Sequence, residues 1–218
     1  MIFDAFDRIR IVNLPQRRDR AAQMEGELRR IGLWGDPRVA FFPAIRPKDA
    51  GDFTSIGAHG VYLSQKQILA EAAAAGDSVL ILEDDCDFAP HARDYATSDA
   101  WDIFYGGYEA SDPTDLARSD IIGAHMMGFS AAGAKAVSAY LRDLRYTGIH
   151  PPIDGAYVWF RRAHPEVATH FAVPPLGHQR SSRTDIADLA FFDRWPVLRT
   201  LAGTARRVKR ALTRRHQR

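Results

Sequence analysis

Short apolar runs alternate with longer segments rich in Ala, Leu and Arg along this chain, and prolines or glycines separate them. The first run, residues 8–14, stops at Pro15, and residues 18–31 follow with helical spacing that ends before Gly32. Because strands that alternate with helices build parallel sheets, this order predicts a single α/β domain with a mainly parallel sheet. The other predicted strands cover residues 39–44, 78–82, 101–105, 124–129 and 170–173, and the other helices cover residues 57–75, 131–144 and 153–162.

Two features interrupt this alternation. Gly106 and Gly107 follow the strand at residues 101–105 and are predicted to end it, since glycine weakens a strand interior. Residues 109–120 are polar and contain Pro113, which predicts a loop. A loop of this length is typical of a mobile lid or of a segment that contacts an acceptor substrate.

The charge is unevenly distributed. The chain has a net charge of +2, but residues 199–218 contain eight Lys or Arg and no acid, which leaves a net charge of −6 on the rest. We therefore expect residues 1–190 to form the domain and residues 191–218 a basic tail. From Val197 onward the tail has an apolar stripe at helical spacing, which is typical of a helix lying on an anionic membrane surface. A helix packed on the domain and a disordered basic end are the alternatives.

Composition restricts the function classes. No stretch reaches the roughly 18 apolar residues of a membrane-spanning helix, and the acidic N-terminus does not resemble a secretory signal. A lone cysteine, Cys86, fits a reducing compartment, and we expect it to be a half-buried thiol. A cytoplasmic protein at the inner membrane surface is the expectation. Nucleic acid is not expected as a partner, because the basic tail has no interleaved aromatic residues and the rest is acidic.

Carboxylates cluster directly after the apolar run at residues 78–82. Glu83, Asp84 and Asp85 lie where a strand ends, and open α/β sheets bind ligands at the carboxyl ends of their strands. Adjacent carboxylates repel one another, and a divalent cation shared with substrate phosphates relieves that repulsion. The motif predicts a Mg²⁺ or Mn²⁺ phosphate site, with a helix cap followed by solvated acids as the alternative.

Other segments carry side chains suited to an anionic ligand. Asn13 and the arginines after it lie where the first strand turns into a helix, and helix N-termini and guanidinium groups both favour phosphate. Ser64 and Gln65 lie one turn into a later helix, while nearby His59 is expected to be a capping or surface residue. Residues 178–185 are polar and twice basic, and either cover an anionic ligand or link to the tail.

Asp154 follows Pro151 and Pro152 and opens a mostly apolar helix. A helix cap is the simplest interpretation of an aspartate in this position. A rigidly mounted carboxylate is also what a general base requires. The sequence lacks the GxxxxGK, GxGxxG, GxSxG and HExxH patterns and any pair of CxxC motifs. A P-loop enzyme, a nicotinamide dehydrogenase, a serine hydrolase and a zinc protein are therefore not favoured.

Taken together, the motifs resemble glycosyltransferase family 25, which includes bacterial lipooligosaccharide galactosyltransferases and collagen galactosyltransferase domains. The resemblance covers residues 8–186 and departs from the family where Val61 replaces a typical cysteine and Gln65 a typical histidine. The departure at Gln65 bears on any nucleotide contact from that side chain, because glutamine hydrogen-bonds but does not titrate. The matching segments are, in order, IVNLPQRRDR, GAHGVYLSQ, LILEDDCDF, AHMMGFSAAGAKAV, PPIDGAY and VPPLGHQRSSRTDI.

The resemblance implies a GT-A type, Rossmann-like fold and an inverting transfer of a sugar, with galactose and UDP-galactose favoured, to a glycan or glycolipid acceptor of a bacterial surface. It implies Mn²⁺ or Mg²⁺ on Asp85, shared with Glu83, and Asp154 as the base, with Asp112 and Glu109 as the next candidates. A non-catalytic, membrane-associated binder of nucleotide sugars or glycans is the alternative function. The implied donor-binding residues are Asn13, Leu14, Arg17, Arg20, Ser64, Gln65, Asp84 and Gln179.

Overall fold

Strands and helices alternate along most of the chain in the computed structural model, which describes residues 1–97 and 99–180. A 3-10 helix, Ile2–Ala5, precedes them. The strands are β1 (Arg8–Asn13), β2 (Val39–Pro43), β3 (Val79–Glu83), β4 (Cys86–Phe88), β5 (Ile103–Ala110), β6 (Ile121–Phe129), β7 (Thr169–Phe171) and β8 (Gly177–Gln179). The helices are α1 (Arg18–Ile31), α2 (Ile56–Ala75), α3 (Ala131–Arg142) and α4 (Ile153–Ala163).

The central sheet has six strands in the order β2-β1-β3-β6-β5-β7. Only β6 runs against its neighbours, so β1, β2, β3, β5 and β7 all point in one direction. The predicted α/β class and mainly parallel sheet are therefore confirmed. Because β1, β2, β3 and β5 share a direction, their carboxyl ends meet at one edge of the sheet, where the sequence places its acidic cluster.

Apolar side chains cover both faces of this sheet. On one face, Ile81 and Met127 pack in a core with residues of α2, α3 and α4. On the other face, Leu80 and Met126 pack with residues of α1, the 3-10 helix and β4. Two helices end as predicted, because the glycines after them adopt the left-handed conformation, with φ of 79° at Gly32 and 74° at Gly76.

The predicted break at Gly106 and Gly107 is wrong, since β5 continues to Ala110. The strand is bulged there, and a Cβ atom on Gly107 would lie 2.5 Å from the His125 ring. Glycine is thus present because a side chain of β6 occupies the space, which a single sequence does not reveal. A second sheet, formed by β4 and β8, was also not predicted, since each strand has only three residues.

Residues 1–179 form one compact unit. The predicted domain boundary at residue 190 and the basic tail at residues 191–218 lie outside the described residues. None of the described helices has the length and apolar character that crossing a membrane requires.

Candidate functional site

Two carboxylates bond to one arginine just after the carboxyl end of β3. Arg20, from the first turn of α1, donates from Nη1 to Asp84 Oδ1 at 2.9 Å and to Asp85 Oδ2 at 3.0 Å. Asn13, the last residue of β1, donates to the other Asp84 oxygen at 2.7 Å. Asp84 and Asp85 are both buried. The structure therefore brings together four of the residues singled out in the sequence, with Asp84 bound by Asn13 and Arg20.

Glu83 is the third carboxylate of this group, and its charge is poorly compensated. Burial first, and then the charges of Asp85, Asp154 and Asp84, raise the pKa of Glu83 to about 8, while the charge of Arg20 acts in the opposite direction. One arginine thus does not balance the acids around Glu83. A cation bound at this point would relieve the repulsion.

Asp154 lies in the same electrostatic neighbourhood, since its charge contributes to the raised pKa of Glu83. It belongs to the first turn of α4, but Pro152 occupies the N-cap position. Its Oδ2 accepts a hydrogen bond from the Gly123 amide of β6 at 2.8 Å, and its Oδ1 accepts one from the Gly155 amide at 2.8 Å. The half-buried carboxylate therefore joins α4 to the edge of the sheet, and burial raises the pKa of Asp154.

A cavity of about 370 Å³ opens between the ends of β1 and β2 and the start of α2. Arg17 lines it and is linked to the acidic group, because Asn13 Nδ2 donates to the Arg17 carbonyl at 3.3 Å. The pKa of Arg17 is raised, first by its bond to Asp19 and also by the charges of Asp84 and Asp85. The other lining residues are mostly apolar: Leu14, Gln16, Ala44, Ile45, Arg46, Ile56, Gly57, Gly60 and Val61.

Ser64 and Gln65 are fully buried and contact the protein itself. Ser64 Oγ donates to the Gly60 carbonyl at 2.7 Å and accepts from the Ile45 amide at 2.8 Å, which holds α2 against the end of β2. Gln65 lies behind Glu83, with its Nε2 3.4 Å from Glu83 Oε1. Contact of these two side chains with a donor stays a prediction.

The β4–β8 pair brings Gln179 near the acidic cluster. Gln179 pairs with Cys86, the residue that follows Asp85, and its side chain is exposed. Cys86 is fully buried, not half-buried as expected. His125 of β6 contacts the Gly177 carbonyl through Nε2 at 3.1 Å, which attaches β8 to the central sheet.

The loop between β5 and β6 is bound to α4. Buried Arg161 donates to three of its carbonyl oxygens, at Leu116, Ala117 and Ser119, over distances of 3.1 to 3.2 Å. These contacts argue against the predicted mobile lid. Asp112 Oδ1 accepts two bonds from Thr114 in a local turn, which lowers the pKa of Asp112, while Glu109 lies exposed at the end of β5.

The described residues contain no group of three or more His, Cys, Asp or Glu side chains placed to hold a metal ion. A metal cage made entirely by this part of the protein is therefore not present. The carboxylate oxygens of Glu83 and Asp85 are nevertheless the donors that Mg²⁺ and Mn²⁺ prefer. Mg²⁺ is commonly held by one or two carboxylates, with substrate phosphates and water completing the coordination, and the two residues fit that type of site.

Sequence reasoning missed three residues that shape the site: Gly123, His125 and Tyr157. All three lie within motifs quoted from the sequence or next to them, but nothing in a single sequence indicates the contacts of Gly123 and His125. Tyr157 is three residues after Asp154, so the helical period places both on one face of α4, and this was the available signal.

Replacing Glu83 by Gln is expected to stabilise the metal-free protein at alkaline pH. The pKa of Glu83 is raised from 4.5 to about 8 in the folded chain, so its contribution to stability is fully present below about pH 4.5 and is lost as pH rises through 8. Glu83→Gln avoids this loss. Urea unfolding with chelator should show the variant gaining at least about 1.4 kcal/mol on the wild type between pH 5 and pH 9, the equivalent of one pKa unit. An equal difference at both pH values would contradict the assignment.

Comparison with solved structures finds 36 similar chains. No protein-family model and no curated protein matches the chain. Among solved structures, the chain is similar to a glycosyltransferase involved in glycosylation of the major capsid of PBCV-1, at 12% identity and a TM-score of 0.48, over 82% of this chain and 96% of that one. It is also similar to a Bacillus anthracis protein described as a glucose-1-phosphate thymidylyltransferase and solved with sucrose, at 12% identity and a TM-score of 0.42, over 75% of this chain and 66% of that one. At these values neither likeness assigns an activity to this chain.

Proposed function

We propose that the chain is a glycosyltransferase that moves a hexose from a nucleoside diphosphate sugar to a hydroxyl group of a glycan acceptor. One observation carries the proposal. A mostly apolar cavity has Arg17 in its wall, the charges of Asp84 and Asp85 act on that arginine, and the charge of the Asp154 carboxylate acts on Glu83 of the same acidic group. A nucleotide sugar has the matching parts: an apolar base, anionic phosphates and a reacting sugar carbon.

The cavity suits the nucleoside part of the donor. Its apolar walls, which include Leu14 and Ile56, are suited to a base, and Arg17 and Arg46 are suited to a phosphate or to the carbonyl groups of a base. The phosphates would then extend toward Asp85. In this arrangement the hydrogen bond from Arg20 to Asp84 keeps both side chains in place next to Asp85.

Glu83 and Asp85 are the residues that would hold Mg²⁺ or Mn²⁺. When bound, such a cation stabilises the negative charge that grows on the departing nucleoside diphosphate. Arg20 contributes in the same direction, because it places a fixed positive charge between Asp84 and Asp85 and keeps their carboxylates in position.

Asp154 is the proposed base that accepts the proton of the acceptor hydroxyl in an inverting transfer. Its two backbone hydrogen bonds restrict the carboxylate to one orientation, and each oxygen keeps a further lone pair for the acceptor. Its raised pKa makes it a stronger base than a solvated aspartate.

The finer assignments rest on the resemblance to family 25. We propose a GT-A type enzyme with UDP-galactose as donor and a bacterial surface-glycan precursor as acceptor, held near the inner membrane by the basic tail. The burial of Gln65 favours the glycosyltransferase over the non-catalytic binder, the alternative function. Gln65 is fully buried and does not line the cavity. The presence of glutamine where the family typically has histidine therefore takes no side chain away from the cavity.

Calorimetry with nucleoside diphosphates tests the donor assignment. UDP should bind more tightly than GDP or CDP, and Mn²⁺ should strengthen the binding. Arg17→Ala should weaken UDP binding, whereas Arg29→Ala, a change at an exposed arginine later in the same helix, should not. No binding of any of the three nucleotides would refute the nucleotide site.

A further inference from the structure

A chain of three buried or half-buried side chains runs behind the acidic cluster and ends at Glu83. The hydroxyl of Tyr157, in α4, donates to Gln65 Oε1 at 2.8 Å. Gln65 Nε2 lies 3.4 Å from Glu83 Oε1 and 3.5 Å from the Ala124 carbonyl oxygen. Tyr157 and Gln65 are both fully buried. The chain thus connects α4, α2, β3 and β6 at a single point below the site.

The chemistry of these groups allows only one orientation of the Gln65 amide. The Ala124 carbonyl is an acceptor only, whatever the charge on Glu83, so the NH₂ group of Gln65 faces that carbonyl and the Glu83 carboxylate next to it. Its Oε1 must then face Tyr157, whose hydroxyl donates. Both amide hydrogens and the amide oxygen are used, and a flip of the amide would bring acceptor against acceptor.

We propose that Gln65 and Tyr157 are positioning residues that hold the Glu83 carboxylate in the orientation needed to bind a divalent cation. The inference rests on the proposed function, in which Glu83 is a cation ligand. It gives Gln65 a role other than contact with the nucleotide-sugar donor. Carboxylates that bind metals are commonly oriented by a second hydrogen-bonding group, and loss of that group typically lowers metal affinity or activity by about 10- to 100-fold.

Substitutions at Gln65 separate this role from packing. Gln65→Met keeps the length and volume of the side chain but removes the hydrogen bonds. Gln65→His restores a donor for Glu83 and an acceptor for Tyr157 on one ring. Tyr157→Phe removes only the hydroxyl. Tyr62→Phe is the matched control, since Tyr62 is also buried and its hydroxyl contacts the Leu141 carbonyl instead.

The experiment is calorimetric titration of each full-length variant with UDP, in Mn²⁺ and in chelator. Gln65→Met and Tyr157→Phe should each weaken Mn²⁺-dependent binding by about 10-fold and leave binding in chelator unchanged. Gln65→His and Tyr62→Phe should bind like the wild type. In a Glu83→Gln background, Gln65→Met should cause no further loss. Wild-type affinity in Gln65→Met, a Gln65→His variant no better than Gln65→Met, or losses that multiply in the Glu83→Gln background would each overturn the proposal.

A separate measurement distinguishes failure of the proposed function from failure of the role of Gln65. If the wild type binds no UDP in Mn²⁺, that function fails, and the side-chain amide resonances of Gln65 in the metal-free protein then decide the present inference. Glu83→Gln and Tyr157→Phe should each shift these resonances, and Tyr62→Phe should not. Resonances unmoved by both substitutions would overturn the proposed role of Gln65.

Discussion

Asp85→Ala should abolish sugar transfer and remove Mn²⁺-dependent binding of the donor, while the protein stays folded. Loss of a cation ligand removes transition-state stabilisation worth several kcal/mol, which corresponds to a rate loss of about 1,000-fold or more. The fold should survive because Arg20 keeps its ion pair with Asp84, and because removing one acid reduces the repulsion on Glu83. Steady-state transfer assays and a thermal melt on the same preparation measure both effects.

Asp77→Ala is the matched control for this change. Asp77 also pairs with an arginine, Arg8, and both side chains are partly exposed. Asp77 precedes β3 and Arg8 begins β1, so the pair lies at the opposite end of these strands from the acidic cluster. Its loss should cost stability of no more than about 1 kcal/mol and leave transfer unchanged. Normal turnover in Asp85→Ala, or full wild-type activity in excess chelator, would remove the cation from the mechanism.

Asp154→Asn should lower kcat by about 100- to 10,000-fold, the usual range for loss of a general base. Donor affinity should change little, because the acceptor proton and not the donor requires this carboxylate. Asparagine keeps one oxygen for a backbone amide but presents NH₂ to the other, so the free energy of unfolding should fall by only about 1 kcal/mol. Kinetics, donor titration and urea unfolding of the same variant separate the three effects.

An exposed aspartate provides the control for Asp154. Asp143, just after α3, pairs through its side chain with exposed Arg142, and Asp143→Asn should leave kcat unaltered. One result for Asp154→Asn would contradict its role as the general base. If donor affinity and melting temperature fall together while kcat is retained, Asp154 is a structural residue that fastens α4 to β6.

The sequence predicted those parts of the site that depend on neighbours along the chain. The apolar run before Glu83 predicted a strand, and its abrupt end predicted where the carboxylates would lie. Asn13 and Arg20 were placed at the turn after β1, and a parallel sheet brings that turn next to the end of β3. These predictions succeed because a short apolar run and a proline or glycine specify local structure strongly.

Contacts between distant segments were beyond the sequence. The aspartate in PPIDGAY suggested a cap, whereas Pro152 occupies that position and Asp154 binds the Gly123 amide of β6. The departure at Gln65 suggested a weakened nucleotide contact, yet that side chain is buried against Glu83. Both outcomes depend on how α2 and α4 pack on the sheet, and single-residue propensity does not encode such packing.

Hydrolysis of UDP-galactose by the wild-type protein, measured as UDP release with Mn²⁺ and with chelator, tests the central claim most directly. A glycosyltransferase with this site should release UDP slowly without an acceptor, faster with Mn²⁺, and faster from UDP-galactose than from GDP- or CMP-linked sugars. Asp85→Ala should release none. Tight binding of UDP-galactose with no release of UDP under either condition would contradict the account and identify the protein as a nucleotide-sugar binder.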